Sequence, residues 1–378
     1  MFTTEQRFFI KILYDFINKE KTAEIPKDLN MEIIAAYGKK HEVQAILYYQ
    51  TKLPILKKAY FSTLYINTNR DNLIQQLKRH FDFPYFIIKG VEIAELYPVK
   101  ALRTMGDTDI VVHVEDMEKA HTIFLNQGYR NKSRKIESEW HYYKDKMEFE
   151  LHDQLLYTEN VNDSEQQLFF NDCWSHCNNN QLDWNFHFLF LVSHLRKHFM
   201  NQGVGFRQFM DIAIVSKYGE LDWTWIENRA EEIELLPFLR TVLTFCNRWF
   251  GTTTSIKLVD ITEEFFEIST LKIFEDGVFG FCNEENAGSE AVNLYRKNGR
   301  IGMIKATLHQ IFPRYREMKV VTEYAFIDGK PFLLPVAWIY RIIIKGKKKG
   351  AVKAKLGKTF ASEETIERRE ELYKQWGL

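Results

Sequence analysis

The sequence predicts an α+β protein: a small mixed β-sheet flanked by helices and followed by a large helical C-terminal region. Three observations predict this class. Gly and Pro are sparse, with 18 and 8 among 378 residues, which is typical of long regular elements. Apolar residues recur at helical spacing along most of the chain. Residues 85–152 alone show short β-branched or aromatic runs bounded by turn residues, which indicates strands.

The N-terminal segment, residues 1–82, is predicted to be helical. Phe8, Ile12 and Phe16 belong to one apolar helical face. A second helix is predicted over residues 29–37 with Asn30 as its N-cap, and a third over residues 64–81.

Residues 83–155 form the predicted α/β core, which begins at the change of pattern near Pro84. A buried strand is predicted at 85–88 and a second strand, rich in β-branched residues, at 107–114. Helices are predicted at 91–97 and 115–127, and a strand pair at 140–143 and 147–152 with its turn at 144–146.

Two further segments follow, a helical domain over 156–330 and a helical and basic segment over 331–378. Amphipathic helices are predicted at 186–200, 206–218, 223–234, 236–250, 291–311 and, capped by Ser362, 362–375. Residues 252–290 read as less regular. The apolar run 332–344 is interpreted as a core helix, and the seven lysines within 345–358 as a solvated linker. A weak contact of 345–358 with an anionic surface is the alternative.

Composition excludes several classes of protein. Hydrophobic residues make up 45% and charged residues 27%, as in a globular chain. Lys and Arg (51) balance Asp and Glu (51), so there is no strong signal for nucleic-acid binding. Four cysteines do not make a disulfide framework. With neither a signal peptide nor a run of about 18 uncharged apolar residues, we expect a soluble cytoplasmic protein.

The sharpest motif is Met105-Gly106-Asp107-Thr108-Asp109, which leads into the apolar run 110–112. Two carboxylates two positions apart on a strand point to one face, with Cβ atoms roughly 6–7 Å apart. That spacing suits divalent cations, although a solvated strand start is the plainer interpretation of a lone pair of aspartates.

Two neighbouring features strengthen the cation hypothesis. Upstream, Lys89-Gly90 joins a strand to a helix, and a glycine there lets phosphate approach backbone N–H groups. Downstream, Glu150 shares one strand face with Glu148 and His152, so it could supply a third carboxylate of the kind that Mg²⁺ prefers.

Other clusters are weaker candidates. His194 and His198 stand at helical spacing without a glutamate between them, so a solvated or basic helix face is favoured over zinc. Asp211 is expected to be structural and to pair with an arginine. The cluster Cys173, His176 and Cys177 lacks an evident fourth ligand and is interpreted as buried thiols.

Together these residues resemble an uncharacterised bacterial nucleotidyltransferase family of the polymerase-β-type superfamily. The resemblance rests on residues 88–90, 96–98, 102–110 and 149–152, and extends to the segments 194–211, 311–315 and 333–338. The chain departs from the superfamily at the glycine turn, because Gly90 is followed by Val91 where many members have Ser or Gly.

The resemblance implies Mg²⁺- or Mn²⁺-dependent transfer of a nucleoside monophosphate from a nucleoside triphosphate (NTP) to an unidentified hydroxyl acceptor. It assigns cation binding and catalysis to Asp107, Asp109 and Glu150. Lys89, Gly90, Arg103 and Gly106 are the candidates for nucleotide binding. For Lys89 and Arg103, a surface lysine and a structural ion pair are the respective alternatives.

Two further functions stay open. The absent hydroxyl at the glycine turn is compatible with an inactive nucleotide-binding or scaffold protein. An antitoxin-like nucleotidyltransferase that modifies a partner is the other alternative.

Overall fold

The sheet that carries the site has five strands. They are β1 (Tyr85–Ile88), β2 (Asp109–Val112), β3 (Arg130–Asn131), β4 (Glu139–Lys144) and β5 (Met147–His152). Their order across the sheet is β1-β2-β5-β4-β3. Strand β2 is antiparallel to β1 and parallel to β5, and β4 pairs antiparallel with both β5 and β3. The sheet is therefore mixed, and the predicted α+β class is confirmed.

The structure is a computed structural model that describes residues 1–22, 24–131, 139–156, 164–201, 203–278, 308–309, 311–319, 322–346 and 370–378. The chain divides into two units, Met1–Arg196 with Gly205–Val278, and Lys197–Val204 with Phe279–Leu378. The division into four segments given above stays a prediction.

Helices surround the sheet in the first unit. They are α1 (Thr4–Ile17), α2 (Met31–Lys40), α3 (Gln44–Thr51), α4 (Lys57–Lys78), α5 (Gly90–Leu96), α6 (Met117–Asn126), α7 (Ser164–Asn171), α9 (Phe206–Tyr218), α10 (Trp223–Glu232), α11 (Leu236–Phe250) and α12 (Glu263–Asp276). Helix α8 (Trp184–Asn201) contains the boundary between the two units, and the short pair β6 (Cys177–Asn178) and β7 (Gln181–Leu182) precedes it.

The strands alternate, so one face of the sheet is apolar and the other, here called the polar face, carries carboxylates beside buried apolar residues of β1 and β2. Phe149 and Leu151 of β5 and Ile110 of β2 lie in a buried cluster that also contains Phe124 of α6 and Leu77 of α4. Successive side chains of a strand point to opposite faces. The intervening residues, Glu148, Glu150 and Asp109, therefore belong to the other face.

The helix expectations were met in most places. Asn30 caps α2, with its side-chain oxygen accepting from the backbone N–H groups of Glu32 and Ile33, so that N-cap is confirmed. Residues 252–290 were expected to be irregular, and this was wrong for α12. That helix turns Ser269 and Thr270 inward beside its phenylalanines, which weakens its apolar period.

In the second unit, α13 (Tyr315–Lys319) and α14 (Leu334–Gly346) pack around a small cluster of Met318, Tyr324, Ile327 and Ala337. The apolar run 332–344 is helical over most of its length. Its interpretation as a core helix is wrong, because Phe332, Val336 and Ile339 are exposed. Among the residues that the structure describes, no helix is both long and apolar enough to cross a membrane. The lysines at 347–358, the predicted helix over 291–307 and the Ser362 cap lie outside the described residues.

Candidate active site

The two central strands bring Asp109 and Glu150 together. They are register partners in the parallel pair β2–β5, and Ile88, the last residue of β1, is the partner of Asp109 on its other side. Asp109 is buried, with 1% of its surface exposed, whereas the Glu150 side chain is 16% exposed. Two of the three predicted carboxylates therefore share one place on the polar face of the sheet.

Asp107 has a different setting from the one expected, because β2 begins at Asp109. The prediction of two carboxylates on one strand is wrong in this respect: Asp107 lies in the loop that precedes the strand. Burial raises the pKa of Asp107, and the charges of Asp109 and Glu150 raise it further, against the opposing charge of Lys89. The loop therefore still brings Asp107 within electrostatic reach of the other two carboxylates.

Two cationic groups contact Asp109. The Lys89 ammonium Nζ lies 2.7 Å from Asp109 Oδ1, and His152 Nε2 lies 3.2 Å from the same oxygen. Burial opposes the charge of Asp109, but Lys89 and His152 outweigh it and hold the carboxyl pKa far below its usual range. Burial would lower the pKa of His152, yet the neighbouring carboxylates of Asp109 and Glu150 raise it to about 9. Without a bound cation, these two residues balance the Asp109 charge.

The donor atoms form two groups that could hold a metal ion. One atom each from Asp109, Glu150 and His152 lies within 4.8 Å of the others, and the same is true of His141, Glu148 and Glu150. Glu150 belongs to both groups, with Oε2 3.5 Å from His152 Nε2 and Oε1 3.4 Å from His141 Nδ1. Carboxylate oxygens are the donors that Mg²⁺ and Mn²⁺ prefer, and imidazole suits softer divalent cations.

The glycine turn lies at the start of α5, directly after β1. A Cβ atom on Gly90 would come within 2.9 Å of Arg103 Nη1 and 3.2 Å of Met105 Cγ, so only glycine fits here without displacing them. Lys89 itself has φ +56° and ψ −121°, a left-handed backbone conformation that L-residues rarely adopt. Its backbone N–H donates to His187 Nε2 at 2.9 Å.

His187 fixes this turn from α8. Burial, together with the charges of Lys89 and Arg103, lowers the pKa of His187 to about 3. The imidazole is therefore neutral near pH 7, as its acceptor role at Nε2 requires.

Arg103 is buried, and its guanidinium pairs with Asp211 of α9. Its Nε and Nη2 donate to the two oxygens of Asp211 at 2.9 and 2.8 Å, and the Tyr97 hydroxyl donates to Oδ1 at 2.7 Å. The expected pairing of Asp211 with an arginine is confirmed. Arg103 Nη1, beside Gly90, has no hydrogen-bond partner among the described residues. That group is the part of Arg103 on which its predicted phosphate contact depends.

Gly106 is exposed, and nothing lies within 4 Å of where its Cβ would be. Its carbonyl accepts from Arg70 Nη2 at 3.1 Å. Sequence reasoning missed Arg70 and His187. Arg70 could have been noticed from its spacing, because it lies on the same helix face as the apolar residues Leu73, Ile74 and Leu77.

The comparisons with known proteins bear on this geometry. A family model described as "Uncharacterised nucleotidyltransferase" matches residues 32–251, which is more than half of the chain. The chain belongs to this family. No curated protein matches, and no solved structure matches.

The family match begins N-terminal to Pro84 and ends at residue 251. It contains every residue of the site above, including Arg70 of α4. The segments 311–315 and 333–338, which also suggested the resemblance, lie beyond it.

Asp107 and the remaining candidates lie outside the two metal-ligand groups. Cys173 is buried and Cys177 half-buried, and both are free thiols. Across the described part of the chain, neither they nor His176, His194 and His198 belong to a group of three close metal ligands.

Proposed function

We propose that this chain transfers a nucleoside monophosphate from an NTP to a hydroxyl acceptor, using a divalent cation held by Asp107, Asp109 and Glu150. The observation that carries the proposal is the parallel register of Asp109 with Glu150, next to the end of β1 where the glycine turn into α5 begins. Membership of a nucleotidyltransferase family supplies the reaction class. The acceptor's identity and the nucleobase stay unassigned.

The residues fit a hard divalent cation. Burial raises the pKa of the Asp107 carboxyl, and the nearby negative charges of Asp109 and Glu150 raise it further. Clustered carboxylates are costly without a cation, and Lys89 and His152 offset only part of that cost. Mg²⁺ or Mn²⁺, when bound, would polarise phosphate oxygens and lower the pKa of an acceptor hydroxyl.

The chain's own groups would bind and orient the triphosphate. Lys89 Nζ lies beside Asp109, and Arg103 Nη1 beside Gly90, so both cations flank the place that phosphate oxygens would occupy. Gly90 lets the Arg103 guanidinium and the Met105 side chain pack directly against the turn. Because Val91 offers no hydroxyl, these cations and backbone N–H groups would carry the triphosphate contacts. Asp109 or Glu150 would accept the acceptor's proton.

A second candidate is a protein that binds nucleotide without turnover. The contact of Lys89 and His152 with the same oxygen of Asp109 favours it, because that carboxylate is satisfied without a metal. In that case Asp109→Asn would still bind nucleotide, and no pyrophosphate would form with any acceptor.

The first experiment is calorimetric titration of each NTP into the protein, with and without Mg²⁺. We expect Mg²⁺-dependent binding of at least one NTP, and its loss in Asp107→Ala/Asp109→Ala because the cation's ligands are gone. The matched control is Glu115→Ala/Glu118→Ala, which removes the same charge from exposed positions at the start of α6. Equal losses in both double variants, or no binding by folded wild-type protein, would contradict the proposal.

The compartment that we assign to the reaction follows from where its substrates occur. We place it in the cytoplasm, where NTP and Mg²⁺ are both abundant. The weak surface contact of residues 345–358 stays a prediction. Pyrophosphate release with candidate sugars, proteins and RNA ends as acceptors is the screen that follows a positive titration.

A further inference from the structure

Two polar side chains of α4 lie buried where the helix passes beneath the loop that carries Asp107. Asn67 and Arg70 stand one helical turn apart and are 3% and 1% exposed. Leu73, Ile74 and Leu77 continue the same buried face. Burying a guanidinium costs desolvation free energy unless hydrogen bonds and opposite charges offset it. A charged residue on this face therefore requires a specific set of partners.

Those partners are almost all in residues 101–108. Asn67 Nδ2 donates to the carbonyls of Ala101 and Arg103, both at 2.9 Å. Arg70 Nη1 donates to Thr108 Oγ1 at 2.7 Å. Arg70 Nη2 donates to the carbonyls of Met105 and Gly106 at 3.3 and 3.1 Å.

The contacts of Arg70 bracket Asp107. Gly106 and Thr108 are its two neighbours in the chain, and Arg70 holds one by its carbonyl and the other by its hydroxyl. Asp109 is fixed by strand pairing on both sides. Asp107 precedes β2, and the backbone hydrogen bonds to β5 reach only as far as Thr108, whose N–H donates to Glu148 and whose carbonyl accepts from Glu150. The loop carbonyls need hydrogen-bond partners, and Arg70 supplies them.

We propose that Arg70 is a positioning residue that sets the carboxylate of Asp107 for cation binding. The inference rests on the proposed function and deepens it, because it assigns the geometry of one cation ligand to a side chain that is too buried to touch substrate. Its planar fork reaches three acceptors at once, which a lysine ammonium cannot reproduce. Residues that orient metal ligands in this way typically contribute about 10–100-fold to metal affinity.

The test is a double-mutant cycle with Mn²⁺ alone as the probe, read from the electron paramagnetic resonance signal of free Mn²⁺. We expect Arg70→Lys to weaken Mn²⁺ binding about tenfold. In the Asp107→Asn background the same change should cost less than about twofold, because the ligand that Arg70 positions is already lost. If Arg70 is merely structural, Arg70→Lys should leave Mn²⁺ affinity unchanged or lower it equally in both backgrounds. Either result would overturn the proposal.

Two further variants control for folding. Thr108→Val removes the acceptor of Nη1 while keeping the side-chain shape, and it should also weaken Mn²⁺ binding. It replaces Arg70→Lys as the test variant if Arg70→Lys does not fold. Leu243→Ala removes buried contacts in α11, and should lower stability without changing Mn²⁺ affinity. Loss of Mn²⁺ binding in this control to the same extent would overturn the proposal.

The outcomes separate this inference from the function on which it rests. If wild type binds Mn²⁺ and NTP while Arg70→Lys binds Mn²⁺ equally well, the positioning role fails and the proposed function stands. If the folded wild type binds neither Mn²⁺ nor NTP, the proposed function fails and the role of Arg70 in it fails too.

Discussion

At the scale of single residues, charge and burial decide which contacts matter. Two ion pairs have the same N–O distance of 2.8 Å. Arg103–Asp211 is buried, with side chains 4% and 9% exposed, whereas Lys119–Asp82 is exposed at 51% and 70%. Water screens the second pair almost completely, while the loss of one partner in the first leaves an uncompensated buried charge.

This contrast gives a stability prediction. Asp211→Ala should lower the free energy of unfolding by about 3–5 kcal/mol, because the buried Arg103 guanidinium loses both hydrogen bonds. Asp82→Ala is the distance-matched control and should cause no measurable change. Urea unfolding at neutral pH measures both variants. Similar losses for the two would show that burial does not set the strength of these pairs.

Residue identities were largely accessible from the sequence, and their contacts were not. The pattern around Asp107 and Asp109 selected the carboxylates, and the place of Glu150 on an alternating strand selected the third. The left-handed backbone conformation of Lys89 could not be predicted from the sequence, because lysine normally avoids that conformation. Arg70 and His187 act through partners far along the chain, which local spacing does not reveal.

At the scale of elements, strands and helices with sharp boundaries were predicted well. Strand β1 is an apolar run between Pro84 and Gly90, and β5 alternates cleanly between its two faces. The predictions missed β3 because it has only two residues, and they gave α3, which has no side-chain cap, no bounds of its own within the helical segment 1–82. Short or uncapped elements depend on tertiary packing, which the sequence pattern does not display.

The turn between β4 and β5 permits a prediction about one element. Asp145 and Lys146 both have positive φ, of 50° and 66°, as a two-residue hairpin turn requires. Lys146→Gly should raise the free energy of unfolding by up to about 1 kcal/mol, because glycine adopts this conformation without the strain that a Cβ causes. Thermal and urea unfolding measure the change.

The control for the turn is Lys144→Gly, one residue before it in β4. Glycine weakens a strand, so this variant should be less stable than wild type. A stabilised Lys144→Gly, or a destabilised Lys146→Gly, would contradict the assignment of the turn.

At the scale of the whole molecule, the first unit is held together partly by a buried, neutral histidine. The His41 ring lies among Phe9, Phe206 and Phe274, with centroids 5.4, 5.0 and 5.6 Å away. Its Nδ1 accepts from the Phe206 backbone N–H at 3.3 Å. Burial lowers the pKa of His41 to about 3, and the charge of Lys40 adds to this effect.

The contribution of His41 to stability should therefore decline in acid. The folded-state pKa of His41 lies below its unfolded value of about 6.5, so the unfolded chain binds the proton first. The contribution of neutral His41 to the free energy of unfolding is complete above pH 6.5 and is lost as the pH falls toward 3. At pH 5.5 each such histidine should lower the free energy of unfolding by about 1.4 kcal/mol. His187 shares this behaviour.

Urea unfolding of wild type and His41→Gln between pH 7.5 and 5 tests this. The variant should lose about half of the acid destabilisation that the two histidines cause together, because Gln does not titrate. His80→Gln, at an exposed position of the same unit, is the control and should keep the wild-type profile. An unchanged profile for His41→Gln would contradict the assignment.

The order of the strands has a consequence for synthesis on the ribosome. Strand β2 leaves the ribosome well before β5, so the edge of β2 that will pair with β5 is open while the intervening chain is made. Three of its four residues, Ile110, Val111 and Val112, are β-branched and apolar, and such edges invite pairing between nascent chains. Asp107 and Asp109 place two negative charges at the entrance of that strand. Charges that flank an apolar strand oppose its pairing with a second copy, so the carboxylates proposed for cation binding would also protect this edge until β5 arrives.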